Sequence, residues 1–215
     1  MKIKKVPIGL YGGGTSITSN VKEEKVKKEN LFETPFWTIK SKIPSDAYEW
    51  ALDYKKRNIE KARFSNLGGY QSIAQTGFDD FPYANFLIEK LSFLPKFMVA
   101  NWWLNINDEN DSNVAHTHPG SDLACVWYIT DNNEIGFVNE KQHSRWNLND
   151  SFNRNYPGLV DVTKLTNKGD LIVFPADVYH LVRTTSEVKE DNPNLEIDNK
   201  FRISVSFNLF MLNES

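Results

Sequence analysis

Arg202-Ile203-Ser204-Val205-Ser206-Phe207-Asn208-Leu209 alternates polar and apolar side chains without a break. Successive side chains of an extended chain leave opposite faces. A strand here therefore sends Arg202, Ser204, Ser206 and Asn208 one way and Ile203, Val205, Phe207 and Leu209 the other. An arginine on an inward-turned face needs a counter-ion. A ligand carboxylate in a bidentate pair, with Ser204 adding a hydroxyl, meets that need, and so would an internal pair with Asp or Glu or a solvated strand face.

The same grammar runs through the second half of the chain. From Lys96 onward, residues 97–106, 122–129, 136–138, 170–174, 180–184 and 202–211 read as strands separated by turn residues, with no helix between them. Upstream, the aromatic-rich run from Leu31 to Ile39 reads as a strand. Pro44-Ser45-Asp46 then starts a helix over about 46–62, with Tyr48, Ala51, Leu52 and Ile59 at near-helical spacing. A second helix is expected over 79–91, with Phe86, Leu87 and Leu91 as core contacts and Pro95 beyond its end. The prediction is a mainly β fold with flanking helices, an antiparallel sandwich or barrel, of which the jelly roll commonly houses a metal in its mouth. Two polar, turn-rich inserts, 141–165 and 186–199, interrupt the strands and are placed as loops at that mouth.

At 215 residues the chain suits one large domain. Residues 31–215 are read as that single domain and residues 1–30, Gly-rich and then Lys/Glu-rich, as a flexible or loosely packed arm. Gly12-Gly13-Gly14 lacks the lysine and following helix that a phosphate loop requires. A formal charge of -3 shows no basic footprint for a nucleic acid, and no apolar run approaches a membrane span. The lone cysteine, Cys125, excludes an intramolecular disulfide. With no secretory leader expected at the N-terminus, this argues for a reducing cytoplasm. Edge strands and the arm would allow a homodimer.

The chain has only four histidines. His143, amid Lys141, Gln142, Ser144 and Arg145, reads as a solvent-facing residue. The other three form His116-Thr117-His118 and a distant His180, which follows the apolar run Leu171-Ile172-Val173-Phe174. Side chains at i and i+2 of a strand share a face, so His116 and His118 can aim at one point and His180 can complete a facial set of metal ligands. Asn101-Trp102-Trp103-Leu104-Asn105-Ile106-Asn107 should form the preceding strand, with Trp103, Asn105 and Asn107 on one face and Trp102, Leu104 and Ile106 on the other. Asn105 and Tyr128 are candidates to donate hydrogen bonds to a bound carboxylate, with core packing as the competing role for each.

Three motifs match a known family. His116-Thr117-His118-Pro119 leading to Val126-Trp127-Tyr128, then Gly169-Asp170-Leu171-Ile172-Val173-Phe174-Pro175 leading to His180, then Arg202-Ile203-Ser204-Val205-Ser206-Phe207-Asn208, together resemble the Fe(II)/2-oxoglutarate-dependent oxygenases found in bacteria and phages. The upstream Gly68-Gly69-Tyr70-Gln71-Ser72 is similar to that family's Gly-Gly-aromatic-Gln-Ser signature. The resemblance covers about residues 31–210. It implies a double-stranded β-helix, the cupin-like jelly roll, with His116, His118 and His180 as catalytic iron ligands and Arg202 with Ser204 holding the distal carboxylate of 2-oxoglutarate. It also implies an O2-dependent reaction in which 2-oxoglutarate is oxidatively decarboxylated to succinate while a substrate carbon is hydroxylated.

Better known relatives carry His-x-Asp plus a second His, whereas His118 stands at the second position here. Either three histidines hold the metal, or Asp122 swings in as the ligand and His118 serves behind it. The three-histidine set is preferred, because Asp122 lies past Pro119-Gly120 and needs a turn to reach the metal. A rival reading is a cupin-like metal- or ligand-binding module without oxygenase turnover. It would gain if a protein carboxylate occupied Arg202. The substrate is left open between small molecules and peptide side chains.

Overall fold

A computed structural model of the chain describes residues 34–62, 65–108, 110–131, 133–139, 162–183 and 201–212. The predicted N-terminal arm, all of the 186–199 insert, and the 141–165 insert up to residue 161, with His143, lie outside the described residues. Element by element, the order is β1 (Trp37–Ile39), α1 (Ala47–Arg57), β2 (Asn66–Leu67), β3 (Tyr70–Gln71), β4 (Gln75–Thr76), α2 (Ala84–Lys90) and β5 (Phe97–Asn107). It continues with β6 (Ser112–His116), β7 (Leu123–Tyr128), β8 (Asn133–Val138), β9 (Val162–Thr166), β10 (Leu171–Pro175), β11 (Tyr179–Arg183) and β12 (Arg202–Met211).

The strands form two antiparallel sheets. One runs β1-β10-β7-β12-β5-β3, with β4 also paired to β5, and the other runs β2-β6-β11-β8-β9. Strand β12 sits at the centre of the larger sheet between β5 and β7, and the alternation read from its sequence assigns its two faces. Ile203, Val205, Phe207 and Leu209 are fully buried with Trp102, Leu104, Trp127 and the helix residues Ala47, Ala51, Leu87 and Leu91. Rings tighten this layer, with Phe81 and Tyr54 centred 4.7 and 5.4 Å from Trp102. The opposite face belongs to the interior between the sheets, where Ala124, Val126, Ile135, Phe137, Ile172, Phe174 and Val182 make a second apolar cluster. This is the jelly roll that the sequence predicts, with helices on one outer face.

Both helices are shorter than their periodicity suggests. Helix α1 is not continued past Arg57 because Asn58 caps it, its side chain and backbone N–H both donating to Tyr54 O at 2.9 and 3.0 Å. The chain then pairs elsewhere: Lys61 bridges Ser72, and Ala62 N–H donates to Gln71 O. Ile59, expected on the buried helical stripe, is consequently 82% exposed. Helix α2 begins only after Pro82, since residues 78–83 are spent on turns closed by Phe81 N–H to Phe78 O and Ala84 N–H to Phe81 O. Leu87 and Leu91 are buried as expected, and Phe86 packs against them partly exposed.

Strand β9 contradicts the reading of 141–165 as loop throughout. It pairs with β8 over five residues, yet Val162, Thr163, Lys164 and Leu165 are all exposed. An edge strand with no buried face leaves no alternation to read. The Gly68-Gly69 pair has a steric explanation. Gly68 has φ +91°, and a side chain there would collide with the Asp111 carboxylate, while one on Gly69 would meet Ile106 O at 2.9 Å. Gln71 is thereby set opposite Asn105 on β5. No helix among the described residues is long and apolar enough to cross a membrane.

Candidate metal centre and cosubstrate pocket

His116 is the last residue of β6 and is the cross-strand partner of His180 on β11. That pairing alone puts two imidazoles on one interior face. The strand ends there, so His118 does not share a strand face with His116 as its i+2 spacing suggests. The chain bends instead, with His118 N–H donating to Ala176 O at 2.8 Å. The bend brings the third ring in: His118 is centred 5.2 Å from His116 and 5.0 Å from His180. One ligand nitrogen from each of the three lies within 4.8 Å of the other two.

Hydrogen bonds settle which nitrogen each ring offers. His116 Nδ1–H donates to Val114 O at 2.8 Å, and His180 Nδ1–H donates to Val178 O at 2.9 Å. His118 Nδ1–H donates to Asn208 Oδ1 at 2.5 Å, and Asn208 Nδ2 in turn donates to Asn101 Oδ1 at 2.9 Å. A ring whose Nδ1 carries the proton has its lone pair on Nε2. Burial lowers the proton affinity of all three, taking His118 down to about 4 and His180 well below the usual histidine range, with their mutual repulsion adding to it. The rings are therefore neutral near pH 7, the form that binds a divalent metal.

Along the same interior face of β12 lies a second polar group. Ser204 is the partner of Asn105 on β5 and of Tyr128 on β7, and Arg202 is the partner of Asn107. Arg202 is only 6% exposed. Its Nη1–H donates to Ser204 Oγ at 3.2 Å, its guanidinium carbon lies 5.3 Å from the centre of the Tyr128 ring, and its Nε finds no acceptor. Among the described residues no carboxylate pairs with it. Asn105 Nδ2 donates to Ser206 Oγ at 3.0 Å, leaving Asn105 Oδ1 without a partner, and the Tyr128 hydroxyl also lacks one of standard geometry. Burial raises the Tyr128 pKa, with Arg202 the largest opposing influence, so the hydroxyl keeps its proton. A buried, unmatched guanidinium beside a protonated phenol and a serine hydroxyl is a socket for an anion.

A family model described as "Putative 2OG-Fe(II) oxygenase" matches residues 101–208, half of the chain and the stretch that holds every histidine of the cluster together with Arg202. The chain belongs to this family. Among solved structures, the non-heme alpha ketoglutarate dependent epimerase SnoN from nogalamycin biosynthesis is 14% identical. That match covers 83% of this chain and 78% of its own, with a TM-score of 0.51. A Pseudomonas putida prolyl-4-hydroxylase is 12% identical and covers 84% of this chain and 94% of its own, with a TM-score of 0.50. At these identities the likeness is one of fold. A search of curated proteins finds no match.

The protein is thus a 2OG-Fe(II) oxygenase with a jelly-roll fold, whose cofactors are ferrous iron and 2-oxoglutarate. Its residues fit both groups: three neutral imidazoles suit a divalent iron, and the unmatched Arg202 suits a dicarboxylate. The oxygenase does not bring Asp122 to the cluster. That carboxylate accepts the Met211 N–H at 2.8 Å, at the far end of β12, so the alternative ligand is displaced by its own turn. Nor, among the described residues, does a protein carboxylate occupy Arg202, the arrangement that would have favoured a binding module.

Two neighbours of the cluster carried no assigned role in the sequence. Trp103 lies on the interior face, as the alternation of β5 predicts, with its ring 5.4 Å from that of His118. Asn208 shares a face with Arg202, but nothing in the sequence couples it to a histidine 90 positions earlier. Strand alternation supplies the face only, and the contact is made across the interior.

Proposed function

We propose that the oxygenase hydroxylates a carbon of a small-molecule or peptide substrate, with His116, His118 and His180 holding iron and Arg202, Ser204, Tyr128 and Asn105 holding 2-oxoglutarate. The observation that carries this reading is the buried Arg202 guanidinium, unmatched by a carboxylate among the described residues and on the same interior face as the cluster's partner Asn208. An unpaired buried charge is strongly unfavourable unless a ligand completes it. In the overall reaction 2-oxoglutarate, O2 and a substrate C–H become succinate, CO2 and the hydroxylated product, one oxygen atom going to each of succinate and product.

Iron, when bound, supplies the redox chemistry that couples O2 to decarboxylation. The chain's own residues bind, orient and exclude water. The three imidazoles would hold the iron through Nε2, the nitrogen that their Nδ1–H hydrogen bonds leave free. Arg202 and the Ser204 hydroxyl hold the far carboxylate of the cosubstrate, and Tyr128 donates a hydrogen bond from a hydroxyl that stays protonated. Phe174, with its ring 4.9 Å from His180, and the surrounding apolar cluster keep water from the back of the site. A bacterial or phage origin and a cytoplasmic setting belong to the same proposal, supported by the family motifs and by the single buried cysteine.

Anaerobic titration of the metal-free protein with Fe(II) and then 2-oxoglutarate tests the assignment. A weak visible charge-transfer band is expected when both are present, and succinate on admission of O2. Folded protein that gives neither band nor succinate would sink it.

A further inference from the structure

We infer that Asn208 is a positioning residue for the metal centre, its amide setting both the tautomer and the direction of His118; the inference rests on the reading that the three histidines hold the metal. His116 and His180 are each held by a carbonyl two residues back on their own strand, Val114 and Val178. Strand geometry provides those contacts unaided. His118 has left its strand, and its Nδ1–H is taken up instead by Asn208 from the opposite sheet.

The orientation of Asn208 is itself determined. Its Nδ2 donates to Asn101 Oδ1, and Asn101 is its cross-strand partner on β5, so Oδ1 is the atom left to face His118. The β12–β5 register shifts between Asn208 and Leu209 because β5 carries one extra residue there, Ala100, while β12 stays regular and Asn208 keeps the interior face it shares with Arg202. Asn208 is 7% exposed and His118 is equally buried, so water does not readily substitute for either partner. All three Nδ1–H groups therefore donate to neutral oxygens: two backbone carbonyls and one amide. With no carboxylate behind any ring, the hydrogen-bond partners add no negative charge to the three-imidazole site.

The test uses Co(II) as the probe, titrated into the chelator-stripped full chain in competition with a chromophoric chelator. Asn208→Ala and Asn208→Leu should each weaken Co(II) binding about 10- to 100-fold and alter its visible ligand-field bands. Asn208→Asp keeps an acceptor for His118 and should bind Co(II) within a few-fold of wild type. Asn101→Ala leaves the amide in place but unheld and should cause a smaller loss, which keeps the inference testable if an Asn208 variant does not fold. Folded Ala and Leu variants with wild-type Co(II) affinity, or an equal loss in Asn208→Asp, overturn the inference while the three-histidine centre stands. Folded wild type that takes up no Co(II) overturns that centre, and the role of Asn208 with it.

Discussion

His116 and His180 face each other across β6 and β11 with ring centroids 4.3 Å apart, although 64 positions separate them in the chain. The pairing places the two most distant members of the cluster on adjacent strands of one sheet. Removing either ring should therefore remove a ligand without dismantling a strand. His116→Ala and His180→Ala are expected to lower Fe(II) affinity by at least about two orders of magnitude, as loss of an inner ligand exceeds the 10- to 100-fold cost of losing an outer partner. Equilibrium dialysis against Fe(II) under anaerobic conditions measures this. Near-wild-type affinity in either folded variant would remove that residue from the ligand set.

Arg202 should show opposite signs in binding and in stability. A buried charge with no carboxylate partner among the described residues costs free energy in the ligand-free fold, so Arg202→Met should leave the ligand-free protein as stable or raise its stability by about 1–4 kcal/mol. The same change should raise the KM for 2-oxoglutarate at least tenfold while Fe(II) binding persists. Thermal denaturation and succinate release as a function of 2-oxoglutarate report the two effects separately. A variant that is both less stable and unchanged in KM contradicts the socket.

Asp122 should behave as a structural residue. Its carboxylate accepts the Met211 N–H at an exposed site, so Asp122→Ala is expected to cost about 0.5–1.5 kcal/mol of stability, the net contribution of a typical hydrogen bond. Fe(II) affinity should stay within a few-fold of wild type. A loss comparable to that of His118→Ala would return Asp122 to the ligand set.

The metal-free protein should lose stability in mild acid. Folding lowers the pKa of His118 to about 4 from the ordinary histidine value of 6.5, chiefly by burial, and His116 and His180 move in the same direction. Between these two values the unfolded chain binds a proton that the folded chain refuses, so stability is intact above about pH 6.5 and falls as pH drops toward 4. His118 alone accounts for about 3 kcal/mol at the lower limit. Chemical denaturation of chelator-treated protein across this window should show the fall. A flat profile would mean that the rings are solvated.

Much of the fold was legible because it rests on period-two alternation. β12 matched its predicted range of 202–211, and β5 was extended by one residue beyond its predicted end, since both strands bury apolar side chains on one face and polar ones on the other. Where that signal was missing, the reading failed. β9 exposes nearly every side chain, and residues 58–62 carry helix-compatible spacing but pair with Gln71 and Ser72 instead.

By itself the sequence determined the residue types and their faces: three clustered histidines, and an arginine alternating with serines on one side of a strand. These follow from local geometry, which a strand imposes whatever it packs against. Tertiary structure decided which groups meet. The bend after His116 brought His118 to the cluster and carried Asp122 away to Met211, and the docking of the two sheets put Asn208 behind His118. It also left Arg202 without a carboxylate among the described residues. Spacing along the chain cannot specify a charge's missing partner, because the partner depends on what the opposing strands bring within reach.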